Sequence, residues 1–174
     1  IVTVKKAAAI VYRDLEITRK DVYEAIIIAC DEILAGRYDD SFITDALQGG
    51  AGTSANMNGN EVIANTALKK LGRNYGDYTA ISPLDDVNRG QSTNDVYPTA
   101  LRIAAVKMLR KLSSACAELQ TALQEKENEY ENIAKLGRTE MMDAVAITMG
   151  EEFGSYAQAI ARDRWRLDRK STRL

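Results

Sequence analysis

Histidine is absent from all 174 residues. Its absence excludes a serine–histidine–aspartate triad, histidine metal sites and the commonest general base. Chemistry on this chain must run on hydroxyls, carboxylates, lysines or backbone amides. Cysteine is scarce. Cys30 and Cys116 make neither a disulfide framework nor a zinc site. Each lies among apolar neighbours and is expected to be a buried free thiol, which fits a reducing cytoplasm. No apolar run approaches the ~20 residues of a membrane helix. The opening Ile1-Val-Thr-Val-Lys-Lys6 has no signal-peptide layout and no initiator Met, and reads as a cut end. A charge excess is lacking too: 23 Lys and Arg against 25 Asp and Glu leave a net charge of −2. That gives no electrostatic case for nucleic acid or an anionic membrane as a partner. The late basic cluster Arg162-Asp-Arg-Trp-Arg166 with Arg169 and Lys170 is interleaved with Asp163 and Asp168, and reads as a solvated helix face.

The composition that remains, 45% hydrophobic and 28% charged, is that of a soluble domain long enough to bury a core. Helical periodicity dominates it. Residues 5–15 are alanine-rich. Thr18-Arg-Lys-Asp21 has the form of a capping box, with Asp in place of Glu, ahead of a helix over 22–34. Gly36 stands where a helix C-terminus places glycine. Residues 58–71 form a further predicted helix, closed by Gly72. Residues 73–90 read as a loop with a short strand around 78–81. The 38 residues 99–136 contain neither Gly nor Pro. Leu101, Ala105, Met108, Leu112, Ala115, Leu119 and Ala122 alternate there at spacings of four and three, a heptad seam. Such a helix would be about 57 Å long at ~1.5 Å per residue, against a diameter of roughly 40 Å for a compact chain of this size. Either it breaks near Asn128 or it packs against partner chains in an oligomeric bundle. A last helix is expected over 147–167, with Met149, Phe153, Tyr156 and Ile160 on one face. Met108, Met141, Met142 and Met149 read as core filling.

Three polar loops punctuate these helices. The first is Gln48-Gly-Gly-Ala-Gly-Thr-Ser-Ala-Asn-Met-Asn58. Its glycines allow positive φ or close approach of a ligand, and Thr53, Ser54, Asn56 and Asn58 supply hydroxyls and amides. It lacks the lysine of a P-loop. The second, Gln91-Ser-Thr-Asn-Asp95, opens the long helix ahead of Pro98. The third, Gly137-Arg-Thr-Glu140, is read as leading into the last helix, with Arg138 free to hold an anion or to pair with Glu140 or Asp143. Taken singly, each also serves as ordinary turn and helix-capping chemistry. Taken together, hydroxyls and free N–H groups at helix starts are suited to gripping a carboxylate.

These loops carry a resemblance. The first continues through Glu61-Val-Ile-Ala-Asn65, the second through Val96-Tyr-Pro-Thr99, and the third through Asp143-Ala-Val145 to Glu152-Phe153. In order and spacing the chain resembles the aspartase/fumarase superfamily, its aspartase branch most closely, from about residue 1 to 167. The resemblance implies a mostly α-helical fold: an N-terminal helical region over 1–91 leading into the first part of a long-helix bundle over 92–174. It implies a homotetramer for the full-length protein, with active sites shared between subunits. It also implies a small dicarboxylate substrate, L-aspartate or fumarate, with no nucleic-acid or membrane partner and no cofactor or metal.

Carried over residue by residue, Thr53, Ser92 and Thr93 would bind the distal carboxylate and Asn94 would contact the amine. Thr139 would touch the other carboxylate, and Glu140 would face the amine where relatives usually carry His. A carboxylate at position 140 would favour an ammonium-bearing substrate, aspartate over malate. Asp86, Met142 and Ala146 depart from the family's usual His, Gln and Pro. The family's serine base and carboxylate-holding lysine belong to a later Met-Pro-x-Lys-x-Asn loop, which these residues do not include. No catalytic base is therefore assigned, and the chain alone is expected to be inactive. A fumarase, or a non-catalytic helical oligomerisation module, are the alternative readings.

Overall fold

The structure, a computed structural model, describes residues 1–15, 19–47 and 50–171. Two compact units divide it, Ile1–Arg102 and Ile103–Leu174. Thr18 of the expected capping box lies outside the described residues, as do Gln48 and Gly49 of the first loop.

In the first unit, α1 (Val2–Asp14), α2 (Lys20–Leu34) and α3 (Thr53–Lys70) pack on one another. Helix α2 is central. Val22, Tyr23, Ile26, Ala29, Cys30 and Ile33 recur at spacings of three and four and are almost wholly buried. Opposite them, α3 presents Ile63, Ala64, Ala67 and Leu68. The small side chains at Ala25, Ala29, Ala64 and Ala67 let backbones approach closely, and Ile81 and Val87 from the following loop cap the core. Helices α2 and α3 both end in a left-handed glycine, at Gly36 (φ +81°) and Gly72 (φ +67°), as their positions in the sequence imply.

The loop after α3 contains no strand. Residues 78–81 form turns, and the chain then enters a short π-helical stretch, Pro83–Val87. Ser82 starts it: its Oγ accepts the N–H groups of Leu84 and Asp85 at 3.3 and 3.0 Å.

Helix α4 (Thr93–Glu129) begins six residues before the predicted start and ends seven before the predicted end. Pro98 therefore lies inside the helix. Having no N–H, it leaves the carbonyl of Asn94 without its usual intrahelical donor. Residues 134–136, expected to continue the helix, join residues 137–139 of the third loop in β1 (Ala134–Thr139), paired antiparallel with β2 (Met142–Thr148). Strand β2, Met-Asp-Ala-Val-Ala-Ile-Thr, has no apolar/polar alternation to announce it, and its last two residues were expected to open the final helix. Only Glu140 and Met141 connect the strands, and both have positive φ (53° and 64°). That is the sign required by the two-residue turns whose twist matches a hairpin. The register slips between Leu136 and Arg138, opposite Val145.

Helix α5 (Met149–Ser171) completes the second unit. Phe153 stacks on Tyr130 at 5.7 Å between ring centroids, and Lys135 pairs with Glu152 at 2.6 Å. The arginine-rich end of α5 is solvated, with Arg166 bonded to Asp163 and Arg169 lying over Trp165. The methionines are not core filling: Met108, Met141 and Met142 are 71%, 95% and 62% exposed, and Met149 is half-buried. Cys30 is buried, but Cys116 is only half-buried, because it lies on the flank of the long helix.

Where α5 meets the end of α4 there is no room for a side chain. A Cβ on Gly150 would come within 2.5 Å of the Glu127 carbonyl oxygen and 2.9 Å of the Glu131 Cα, both backbone atoms. Gly150→Ala should therefore destabilise the second unit by about 1–3 kcal/mol. The sole tryptophan, Trp165, belongs to this unit, and its fluorescence should report the loss in thermal unfolding. An unchanged midpoint would contradict this packing.

Candidate functional site

Four of the six sequence-predicted site residues belong to the first unit, and the structure brings their elements together. Thr53 is the first residue of α3 and is exposed. The residue before it, Gly52, has φ +84°, and a Cβ there would collide with the Tyr97 ring. Tyr97 belongs to the first turns of α4, so it locks the first loop to the start of that helix.

Ser92 immediately precedes α4. Its Oγ accepts the N–H of Asn94 at 3.2 Å, the ordinary capping role. A hydroxyl that accepts one bond still has its own proton to donate, so capping leaves Ser92 able to bind an anion. Asn94 is exposed and lines a cavity of about 250 Å³ with Ala46, Gly50, Gly52, Tyr97 and Pro98.

Thr93, the first residue of α4, is half-buried. Its Oγ1 accepts the Asn56 Nδ2–H at 3.0 Å. Asn56 lies one turn into α3, so this bond ties the first turns of two helices. Each carries unpaired N–H groups and the positive end of a helix dipole. The result is a positive, hydroxyl-bearing surface suited to a carboxylate.

Beneath that surface is a buried polar cluster that sequence reasoning did not weigh. Asn88 Oδ1 accepts from Asn56 and Asn60 at 3.2 Å each, and from Lys5 Nζ at 2.5 Å. Asn88 Nδ2 donates to the Gln91 carbonyl at 2.8 Å. Lys5, Asn56 and Asn60 are no more than 1% exposed. Among the described residues no carboxylate pairs with Lys5, and burial lowers its pKa from 10.5 to about 8. A signal for it was present: Lys5 shares the apolar stripe of α1 with Val2 and Ala9, whereas Lys6 reaches Asp31 instead.

Thr139 and Glu140 belong to the second unit. Thr139 ends β1 and pairs with Met142, and Glu140 is the first residue of the hairpin turn. Both are exposed. The third loop therefore presents its polar residues from a hairpin tip and does not open a helix as expected. Arg138 pairs with Asp143 at 3.4 Å across the hairpin, the simpler of its two sequence readings. Among the described residues no group of three or more His, Cys, Asp or Glu side chains is gathered to hold a metal, and no helix is long and apolar enough to cross a membrane.

A family model described as lyase matches residues 1–174. Aspartate ammonia-lyase of Bacillus subtilis (strain 168) is 46% identical over 160 residues, which cover 92% of this chain and 34% of that protein. A crystal structure of fumarate lyase:delta crystallin from Brucella melitensis aligns with a TM-score of 0.94 and 47% identity, covering 98% of this chain and 40% of that one. A class II fumarase from Schistosoma mansoni aligns with a TM-score of 0.86 and 32% identity, covering 94% and 34%. The chain spans about a third of the length of the curated relatives it matches.

Two measurements test the geometry of the first unit. Gly52→Ala should destabilise the chain by about 1–3 kcal/mol, through its positive φ and the Tyr97 collision together. Adding Tyr97→Ala should not restore the parent level, because the φ cost remains. A neutral Gly52→Ala would refute the arrangement.

The second measurement is pH dependence. Lys5 loses its proton near pH 8 when folded but near 10.5 when unfolded, so between those values the unfolded chain holds more protons and stability rises with pH. Cys30, whose thiol burial raises from 9.0 to about 12, acts in the opposite sense above pH 9. Urea unfolding should therefore show stability climbing between about pH 8 and 9, by at most about 1.4 kcal/mol per pH unit, the ceiling for one proton. The climb should be absent in Lys5→Met.

Proposed function

The chain belongs to the lyase family, and on that premise we propose that it is part of an enzyme that reversibly eliminates ammonia from L-aspartate to give fumarate. The observation that carries this reading is the Asn56–Thr93 bond, which draws the starts of α3 and α4 together. Removing a proton from the carbon beside the distal carboxylate builds a doubly charged, enolate-like carboxylate. Such an intermediate needs donors preorganised where the charge develops. Thr53, Ser92 and Thr93 bind that carboxylate and Asn94 contacts the amine, while Thr139 and Glu140 serve the other carboxylate and the ammonium. These residues supply binding and charge stabilisation but no base, so the 174 residues alone do not turn over aspartate.

Several observations support this reading. The relatives at 46–48% identity are aspartate ammonia-lyases. Glu140 is an exposed carboxylate at a turn, able to attract an ammonium group. The seam of α4 leaves Leu101, Met108, Leu112 and Leu119 between 48% and 71% exposed. An apolar stripe of that kind calls for partner helices, and a homotetramer of the full-length protein would supply them. The border between the family's N-terminal and central domains then falls at 91/92, where α4 is about to begin. The free thiols of Cys30 and Cys116 fit the cytoplasm.

The second reading, a fumarase, rests on the likeness to the Schistosoma mansoni class II fumarase. Fumarate absorbance distinguishes the two readings. In the full-length protein carrying these residues, ammonia addition to fumarate should outpace hydration to malate, and Glu140→Ala should narrow that preference about tenfold or more. Faster hydration by the parent protein would reverse the assignment. The isolated chain should show no turnover.

A further inference from the structure

The polar cluster under the second loop has a direction, set by Lys5 on one end of Asn88 and the Gln91 carbonyl on the other. We propose that Lys5 is a positioning residue: by donating to Asn88 it fixes the amide orientations through Asn56 and so presets the Thr93 hydroxyl as a donor to the substrate carboxylate. This rests on the reading of Thr93 as a carboxylate binder.

The argument follows donors and acceptors. A lysine ammonium can only donate, whereas an asparagine amide can present either end. Lys5 Nζ meets Asn88 at 2.5 Å, so the Asn88 oxygen must face it. The other end of Asn88, Nδ2, then faces the Gln91 carbonyl and holds the residue just before Ser92. With the Asn88 oxygen turned inward, Asn56 must offer Nδ2, one proton going to Asn88 at 3.2 Å and the other to Thr93 Oγ1 at 3.0 Å. Thr93 is thereby made an acceptor on its buried side. Its single hydroxyl proton is left for the open side, where a carboxylate would lie.

Without Lys5, the Gln91 carbonyl is left to hold the Asn88 amide in this sense, and any reversal of Asn88 would carry Asn56 with it. Thr93 would then spend its proton on the Asn56 oxygen and present only lone pairs to an anion.

A second observation fits this orientation. Among the described residues the buried Oδ1 atoms of Asn56 and Asn60 have no hydrogen-bond partner. An unpaired buried acceptor is costly, so both amides give up an acceptor bond to keep their donors on Asn88 and Thr93. Lys5 itself is 1% exposed and has no carboxylate partner among the described residues. Burial lowers the Lys5 pKa to about 8, so keeping this side chain charged opposes folding at neutral pH, a cost that an apolar side chain of similar length does not carry. Folding and binding therefore respond to Lys5 in opposite directions.

The test is Lys5→Met in the full-length protein, with KM for aspartate, inhibition by fumarate and thermal unfolding measured together. KM and the fumarate inhibition constant should rise tenfold or more while the unfolding midpoint holds or rises. Lys5→Gln keeps an N–H donor and should recover part of the affinity. On a Thr93→Val background, which already lacks the hydroxyl, Lys5→Met should add less than twofold. Should Lys5→Met not fold, Asn56→Asp leaves Lys5 in place but offers Thr93 an acceptor instead of a donor, and should give the same rise in KM. Unchanged KM in the folded variant, or the full tenfold loss persisting beside Thr93→Val, overturns the proposal. If Thr93→Val alone leaves KM unchanged, the carboxylate reading of that loop fails first, and this proposal with it.

Discussion

The first unit turns on a single side-chain amide. Asn88, itself half-buried, joins α1, α3 and the start of α4 through one oxygen and one nitrogen, with the buried Lys5, Asn56 and Asn60 as its donors. An apolar core of the same shape would tolerate small rotations of the helices. Hydrogen bonds do not, because they weaken steeply with distance and angle. Three donors converging on one carbonyl oxygen therefore set where α3 and α4 begin relative to α1. The hydrophobic contacts of α2 stabilise the unit, but they do not by themselves specify that junction.

From this constraint the character of the surface above it follows. Two helix starts facing one region concentrate unpaired N–H groups and partial positive charge, and a buried ammonium beneath adds to both. The region can thus favour a carboxylate without an exposed arginine or lysine at the surface. That fits a chain with no histidine and no net positive charge. Hydroxyls at positions 53, 92 and 93 are donors that need no change of protonation to meet a charge that grows during a reaction. Tyr97 over Gly52 contributes rigidity, since a mobile first loop would have to be ordered at each binding event.

Much of this was legible in the sequence, and the parts that were not share a cause. Helices α2 and α3 were marked by spacing and by their terminal glycines, because glycine at positive φ is a local requirement. The candidate residues were legible as three ordered loops. Lys5 was overlooked because a lysine in an alanine-rich helix is ordinarily solvated. Only the partners brought to it by α3 and the second loop, 51 to 83 residues away, make it a buried group. The hairpin over 134–148 was missed for a related reason. Its first strand has too few β-branched residues to announce itself, and its turn, Glu140-Met141, has none of the Asn or Gly that two-residue turns favour. Met141 and Met142 were assigned to a core by residue type alone, yet they stand at the turn, where both are largely exposed.

That turn is itself informative. Two consecutive non-glycine residues at positive φ cost of order 1–3 kcal/mol each, and among the described residues no contact offsets the cost: both are exposed, and the hairpin ends there. Asn-Gly at the same positions would relax the backbone but remove the carboxylate of Glu140. If Glu140 receives the substrate ammonium, as proposed, the cost becomes intelligible. A two-residue turn projects its first side chain clear of both strands, and pairing of Thr139 with Met142 fixes where that projection starts. A longer glycine-containing loop would be less strained but would let the carboxylate wander. Strain at the hairpin and unpaired oxygens beneath Thr93 are then two forms of one compromise, in which local stability is given up so that a polar group points one way.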